Sequence, residues 1–218
     1  MPKQFDLIVF DWDGTLMDST STIVHSIQGA CRDLGLVEPS DDAARHIIGL
    51  GLNEAIAHLL PQLPEADYPR LIERYRYYYL GKDHEIPLFA GADGVVRDLH
   101  AAGFLLGVAT GKSRRGLDRV LDHTGLRSYF HATRCADECF SKPHPEMLEQ
   151  LMDELGMARD RTLMIGDTSH DLLMAKNASV ASLAVSYGAH ARTDLLLHAP
   201  LDCVGNIQEM ETWLLANA

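Results

Sequence analysis

Asp11 and Asp13 stand one residue apart in the run Phe10-Asp-Trp-Asp-Gly-Thr-Leu-Met-Asp18, directly after an apolar stretch at 5–10. Such a stretch has the look of a buried strand, and Gly14 supplies a turn at its exit. Two carboxylates held this close resist being ionised together. A cation, a shared proton or a reaction offsets that cost, so this segment is where the chemistry of the chain is expected. Further reactive residue types follow other apolar runs. Thr110-Gly111-Lys112 follows 105–109, and Gly166-Asp167-Thr168, with Asp171 close by, follows 162–165. Lys142 lies in the loop ahead of the helix that leads into that last run.

Three or four carboxylates with no partnering His or Cys cluster suit a hard cation with oxygen ligands, Mg²⁺ above all. Thr110 with the backbone N–H groups after it, together with Lys142, suits an anion of phosphate size. A carboxylate that attacks phosphorus forms an aspartyl-phosphate. A second carboxyl group can protonate the leaving oxygen and later activate water. Mg²⁺ and Lys142 would screen the charge between an anionic nucleophile and an anionic phosphate.

Four short runs rich in Val, Ile and Leu, at 5–10, 105–109, 162–165 and 181–186, read as buried parallel strands. Amphipathic stretches separate them. Val95, Leu99 and Ala102 stop at Gly103, Leu117 and Leu121 stop at Gly125, and Met147 to Leu155 run from Pro145 to Gly156. The alternation predicts an α/β fold, a doubly wound Rossmann-like parallel sheet core, with ligands at the carboxyl ends of the strands. Residues 16–87 break the rhythm. Ile23, Ile27, Ala30 and Leu34 have helical spacing, Ser40 or Asp41 suits the cap of a second helix, Asn53 that of a third, and Pro69 the first turn of a fourth. We expect an all-helical insertion at 16–87 on a core formed by 1–15 and 88–218.

Two look-alike motifs fail on spacing. A calcium loop starting at Asp11 needs Gly at its sixth position, whereas Gly14 is at the fourth. Gly111-Lys112-Ser113 lacks the earlier glycine of a nucleotide P-loop, Leu106 standing in its place. Lys112 reads as an exposed charge, and none of the eleven histidines forms a pair at ligand spacing. His170 reads as a surface or supporting position beside Asp167 and Asp171. The run Tyr75 to Tyr79 reads as packing within the insertion with a few exposed rings.

Taken in order, Asp11-Trp-Asp-Gly-Thr-Leu-Met-Asp, Val108-Ala-Thr-Gly-Lys, Ser141-Lys-Pro-His-Pro-Glu and Ile165-Gly-Asp-Thr-Ser-His-Asp resemble the four motifs of the haloacid dehalogenase superfamily. The chain is similar to the phosphoglycolate-phosphatase-like branch, which carries a helical cap after the first motif, and the resemblance spans essentially the full length. It implies Asp11 as nucleophile and Asp13 as general acid/base. It implies Mg²⁺ held by the Asp11 carboxylate, the Asp13 backbone carbonyl and Asp167, with Asp171 in support. Thr110 and the Gly111 backbone would bind the phosphoryl group, and Lys142 would orient it. The segment Ile48-Gly-Leu-Gly-Leu52 resembles the family's specificity loop. Gly49 and Gly51 are therefore candidate specificity positions, with Arg45 or His46 reaching toward a substrate carboxylate or phosphate. Many relatives have Asn where this chain has Gly111, a change that preserves the backbone N–H. They also commonly read Asn-Ala-Gly where this chain has Asn177-Ala178-Ser179.

The expected activity is a Mg²⁺-dependent phosphatase for a small phosphorylated metabolite. Phosphoglycolate, a sugar phosphate, a nucleoside monophosphate and pyrophosphate are all compatible with the motifs. A β-phosphoglucomutase-like phosphomutase and a catalytically silent binding protein on the same scaffold are the alternatives. The 218 residues carry a formal net charge of −12, which opposes nucleic acid and anionic membrane surfaces. No apolar stretch approaches the ~20 residues a membrane span needs, and the start of the chain does not read as a signal peptide. The scattered Cys31, Cys135, Cys139 and Cys203 fit reduced thiols, so a cytoplasmic location is expected.

Overall fold

The computed structural model describes residues 4–218. In chain order they form β1 (Leu7–Phe10), α1 (Thr20–Asp33), α2 (Asp41–His46), α3 (Leu52–Leu59), α4 (Tyr68–Leu80), α5 (Ala92–Ala101), β2 (Leu105–Thr110) and α6 (Arg114–Thr124). There follow β3 (Ala132–Cys135), α7 (Glu146–Leu155), β4 (Thr162–Gly166), α8 (Ser169–Asn177), β5 (Ala181–Val185), α9 (Arg192–Leu196), β6 (Cys203–Val204) and α10 (Ile207–Asn217). The strands pair in parallel in the order β3-β2-β1-β4-β5-β6. The order reverses direction at β1, so the crevice between the ends of β1 and β4 is where such a sheet binds its ligand.

Every residue of β1 is buried, because neighbours lie on both edges and helices on both faces. Side chains alternate across the strand. Leu7 and Val9 share one core with Met147, Leu151, Met164 and Met174, while Ile8 and Phe10 share another with Leu106, Val108, Ile165 and Leu183.

Two strands were not expected from the sequence. β3 reads Ala-Thr-Arg-Cys, pairs only with β2, and turns Arg134 outward to Gln150 and Glu154, so it has no apolar run to reveal it. β6 is two residues long at the opposite edge. β1 itself opens at Leu7, after Asp6 has turned to Arg161.

The segment between β1 and α5 is helical, with α1 packed along α4. Ser40 caps α2 by accepting from the Ala43 N–H at 3.2 Å, and Pro69 lies in the first turn of α4. The third helix departs from expectation. It starts at Leu52 with Gly51 as its extended N-cap, which places Asn53 inside the helix. The two crossings between sheet and insertion run side by side. The Asp18 N–H donates to the Pro87 carbonyl at 3.0 Å and the Phe89 N–H to that of Leu16 at 2.9 Å. Cys31, Cys135, Cys139 and Cys203 are all free. Among the described residues no helix is long and apolar enough to cross a membrane.

Candidate active site

Beyond Phe10 the chain turns sharply, with the Trp12 carbonyl accepting from the N–H groups of Leu16 and Met17, both at 3.0 Å. Gly14 makes this turn with φ +83°, and a Cβ there would overlap the Asp167 carboxylate. Glycine is thus required twice, for its backbone conformation and for the close approach. The turn leaves Asp11 fully buried and Asp13 facing the cleft.

Asp11, Asp167 and Asp171 converge, with one carboxylate oxygen from each lying within 4.8 Å of the others. Lys142 enters from the loop before α7. Its Nζ donates to Asp11 Oδ1 at 2.7 Å and to Asp171 Oδ1 at 2.6 Å, with no solvent exposure of the lysine side chain. Asp171 Oδ2 is held in turn by the N–H and hydroxyl of Thr168, in the capping box that opens α8. Asp167 accepts from the Thr15 hydroxyl at 2.8 Å and the Ala189 N–H at 2.7 Å. One oxygen stands apart. Asp11 Oδ2 is buried without a hydrogen-bond partner.

The electrostatics follow from burial. Burial pushes the Asp11 carboxyl well above the usual carboxylate range; Lys142 opposes the shift while Asp171 and Asp167 add to it. Burial, reinforced by the Asp171 charge, brings Asp167 to about 7. Burial acts to neutralise Lys142, but the facing Asp11 and Asp171 outweigh it and raise its pKa, so the ammonium persists. One lysine faces three buried carboxyl groups, too little positive charge for all three to ionise together. The all-oxygen donor set, the unpartnered Asp11 Oδ2 and the lack of side-chain room at Gly14 together fit a small hard cation.

Asp13 takes a different position from the other acids. Its Oδ1 accepts from the Ser19 hydroxyl at 2.6 Å and pairs with Lys112 Nζ at 2.9 Å. Lys112 is therefore a buried partner, not the exposed charge its sequence context suggests, and it also donates to the Tyr79 hydroxyl at 2.8 Å. Thr110, buried at the end of β2, accepts the Lys112 N–H at 3.2 Å and so closes the loop that carries Gly111.

A Cβ on Gly111 would lie 2.5 Å from the Leu50 carbonyl oxygen and 2.6 Å from that of Gly49. Backbone of the helical insertion thus seats directly on the loop after β2, which explains why this chain has no side chain there. Gly111→Asn is expected to prop the insertion away from the core and lower kcat/KM by roughly tenfold or more, from a strain of about 1–3 kcal/mol. Steady-state kinetics on the variant check this, and unchanged kcat/KM would refute the seating argument.

The other specificity positions divide. Gly49 lines the cleft with φ +93°, and a Cβ there would come 3.2 Å from Thr168 Oγ1. Gly51 is engaged across the seam, its N–H donating to the Ser141 hydroxyl at 2.8 Å. Arg45 lies outside the cleft lining. His46 faces a cluster that the sequence did not suggest. Its ring is 5.1 Å from His190, 5.3 Å from His58 and 5.5 Å from His170 by centroid, and its carbonyl meets the Nε2 atoms of His170 and His190 at 2.7 and 3.2 Å. Burial lowers the pKa of His170 to about 4, and that of His190 also falls for the same reason. Both rings are neutral at pH 7 and join the insertion to the core as hydrogen-bond partners.

Sequence reasoning missed Ser19, Thr15, Lys112 and the segment Tyr187 to Ala189. Ser19 offers one recoverable clue. It occupies the N-cap of α1, a position where serine normally binds helix N–H groups, yet it makes no such bond and spends its hydroxyl on Asp13.

Comparison with known proteins agrees with this architecture. The family model for haloacid dehalogenase-like hydrolase matches residues 8–185. A probable phosphatase, IndB, of Dickeya dadantii is 37% identical over 210 residues, covering 94% of this chain and 91% of its own length. A phosphoglycolate phosphatase of Agrobacterium fabrum is 33% identical, covering 84% of this chain and 81% of its own. The crystal structure of a predicted phosphatase from Clostridium acetobutylicum superposes with a TM-score of 0.86, covering 98% of this chain and all of that one, and at 24% identity it speaks to the fold. The chain belongs to the haloacid dehalogenase-like hydrolases, as a helical-cap member of their phosphatase branch.

Proposed function

We propose that the protein is a Mg²⁺-dependent hydrolase of a small phosphomonoester that works through an aspartyl-phosphate on Asp11. The observation that carries this reading is the state of that carboxylate. Lys142 fixes Oδ1, while Oδ2 is buried and unpartnered at the carboxyl end of β1. Mg²⁺ would be held by the Asp11 carboxylate, the Asp13 backbone carbonyl and Asp167, with Asp171 in support. When bound it would neutralise charge between nucleophile and phosphate.

Thr110 and the Gly111 backbone hold the phosphoryl oxygens, and Lys142 orients the nucleophile. Asp11 attacks phosphorus, the bond from phosphorus to the alcohol oxygen breaks, and Asp13 donates its proton to that oxygen. Asp13 then takes a proton from a water whose oxygen attacks phosphorus, and the bond to Asp11 breaks to release phosphate. Residues 16–87 act as a cap, closed during chemistry and open for exchange. Ser19 and Lys112 hold Asp13 in place for both proton transfers.

Dialysis against EDTA is expected to abolish phosphate release, and readdition of Mg²⁺ to restore it. Mg²⁺ at about a hundredfold over its Kd adds about 2.7 kcal/mol of stability, which for a chain of this size raises Tm by roughly 5–10 °C. Full activity in EDTA would refute the metal assignment. Release of free phosphate, as opposed to an isomeric phosphate ester, separates the phosphatase from a phosphomutase.

A further inference from the structure

Next to Asp13 and Gly111, the cap and the core line a cavity of 320 Å³ that is open to water on one side. Its wall is mainly hydrocarbon, with Ile23, Ile27, Ile48, Ile56, Leu59 and Tyr75 among its lining side chains. Tyr75 and Tyr79 stack at 5.7 Å between centroids, giving one side an aromatic surface. Two charges reach the cavity from buried positions, Asp13 and Lys112, and they are spent on each other at 2.9 Å. Arg76, Arg115 and Arg119 line the cavity from its water-exposed rim, and Arg119 is already paired with Asp83 at 2.7 Å.

This lining is poorly matched to a short carboxylic acid. A carboxylate placed among these isoleucines would lose its hydration and meet no unneutralised buried cation. An apolar group would gain from the same surroundings. A dry apolar cavity of about 150 Å³ accommodates benzene, so 320 Å³ has room for an aryl or branched-alkyl group.

We infer that the substrate is the phosphate monoester of an aryl or branched-alkyl alcohol, its apolar leaving group seated in the cavity between Ile27, Ile56 and Tyr75. The inference rests on the phosphatase reading above and specifies the substrate class for that site. With phosphorus at Asp11, the leaving oxygen sits beside Asp13, whose side chain lines the cavity that takes its substituent. Ile56 and Ala55 on α3 then determine specificity by shape.

The test compares kcat/KM of the Mg²⁺-loaded protein for methyl, n-butyl and benzyl phosphate and for phosphoglycolate, by release of free phosphate. These leaving groups are all primary alkoxides, so the comparison reads mainly the leaving-group pocket. Each buried methylene is expected to raise kcat/KM about fourfold, with benzyl phosphate the best of the series and phosphoglycolate below n-butyl phosphate. Ala55→Leu, which narrows the cavity, is expected to lower the benzyl-to-methyl ratio. Calorimetry with benzylphosphonate and methylphosphonate, neither of which is hydrolysed, is expected to show the same order in binding. Preference for phosphoglycolate over benzyl phosphate overturns the substrate class and leaves the phosphatase standing. Release of phosphate from none of the esters overturns both.

Discussion

The Asp11→Asn protein is expected to fold normally and to lose phosphate release by between about 10⁴ and 10⁶-fold, the scale seen when a covalent nucleophile is removed. The change keeps shape and volume and removes a charge that burial opposes. Lys142 retains Asp171 at 2.6 Å, so no buried cation is left unpaired. Circular dichroism and Tm should therefore stay close to those of the wild-type protein while turnover disappears. Such a separation assigns the loss to chemistry. A variant retaining a few per cent of wild-type activity would show that Asp11 is not the nucleophile.

Lys142 is expected to behave in the opposite way, with stability and activity lost together. Its side chain is wholly buried against two carboxylates. Lys142→Ala would leave both acids buried and uncompensated, and breaking such a pair costs about 3–5 kcal/mol. For a chain of this size that corresponds to a fall in Tm of roughly 6–20 °C. Lys142→Met restores volume without charge, so it should recover packing but no turnover. The measurement is a pair of thermal melts with steady-state assays, with and without Mg²⁺. Wild-type Tm and kcat in Lys142→Ala would contradict the buried-pair account.

What could be read from the sequence follows from how each element is buried. The central strands β1, β2, β4 and β5 are covered on both faces and left continuous apolar runs. β3 lies at an edge with Thr133 and Arg134 half-buried, so its pattern is that of a loop. The positions of Asp11, Thr110, Lys142 and Asp167 were visible because each lies beside a strand or a proline-marked helix start. Lys112 was not, because what buries it is Asp13, almost a hundred residues earlier, and Tyr79 from the cap. His46, His58, His170 and His190 come from separate elements and share no sequence spacing, so only the fold brings them together. Gly111 was recognised as a departure from the family pattern, but its reason lay in the Gly49 and Leu50 carbonyls above it.

The apolar lining of the cavity has the same origin. Ile27, Ile56 and Tyr75 each occupy ordinary core-facing positions of amphipathic helices, and nothing local distinguishes a helix face that packs from one that lines a cavity. The family resemblance left phosphoglycolate open beside other phosphate esters, whereas beyond the Ser19 and Lys112 contacts of Asp13 the cavity is lined mainly by hydrocarbon and phenol.

The covalent step is the central claim, and acid-quenched single turnover with ³²P-labelled phosphate ester tests it most directly. A protein working through Asp11 will show label that rises and decays within one turnover, and proteolytic mapping will place it on the peptide containing Asp11. Phosphate release with no label on the protein at any time, or label on a peptide lacking Asp11, would contradict the account.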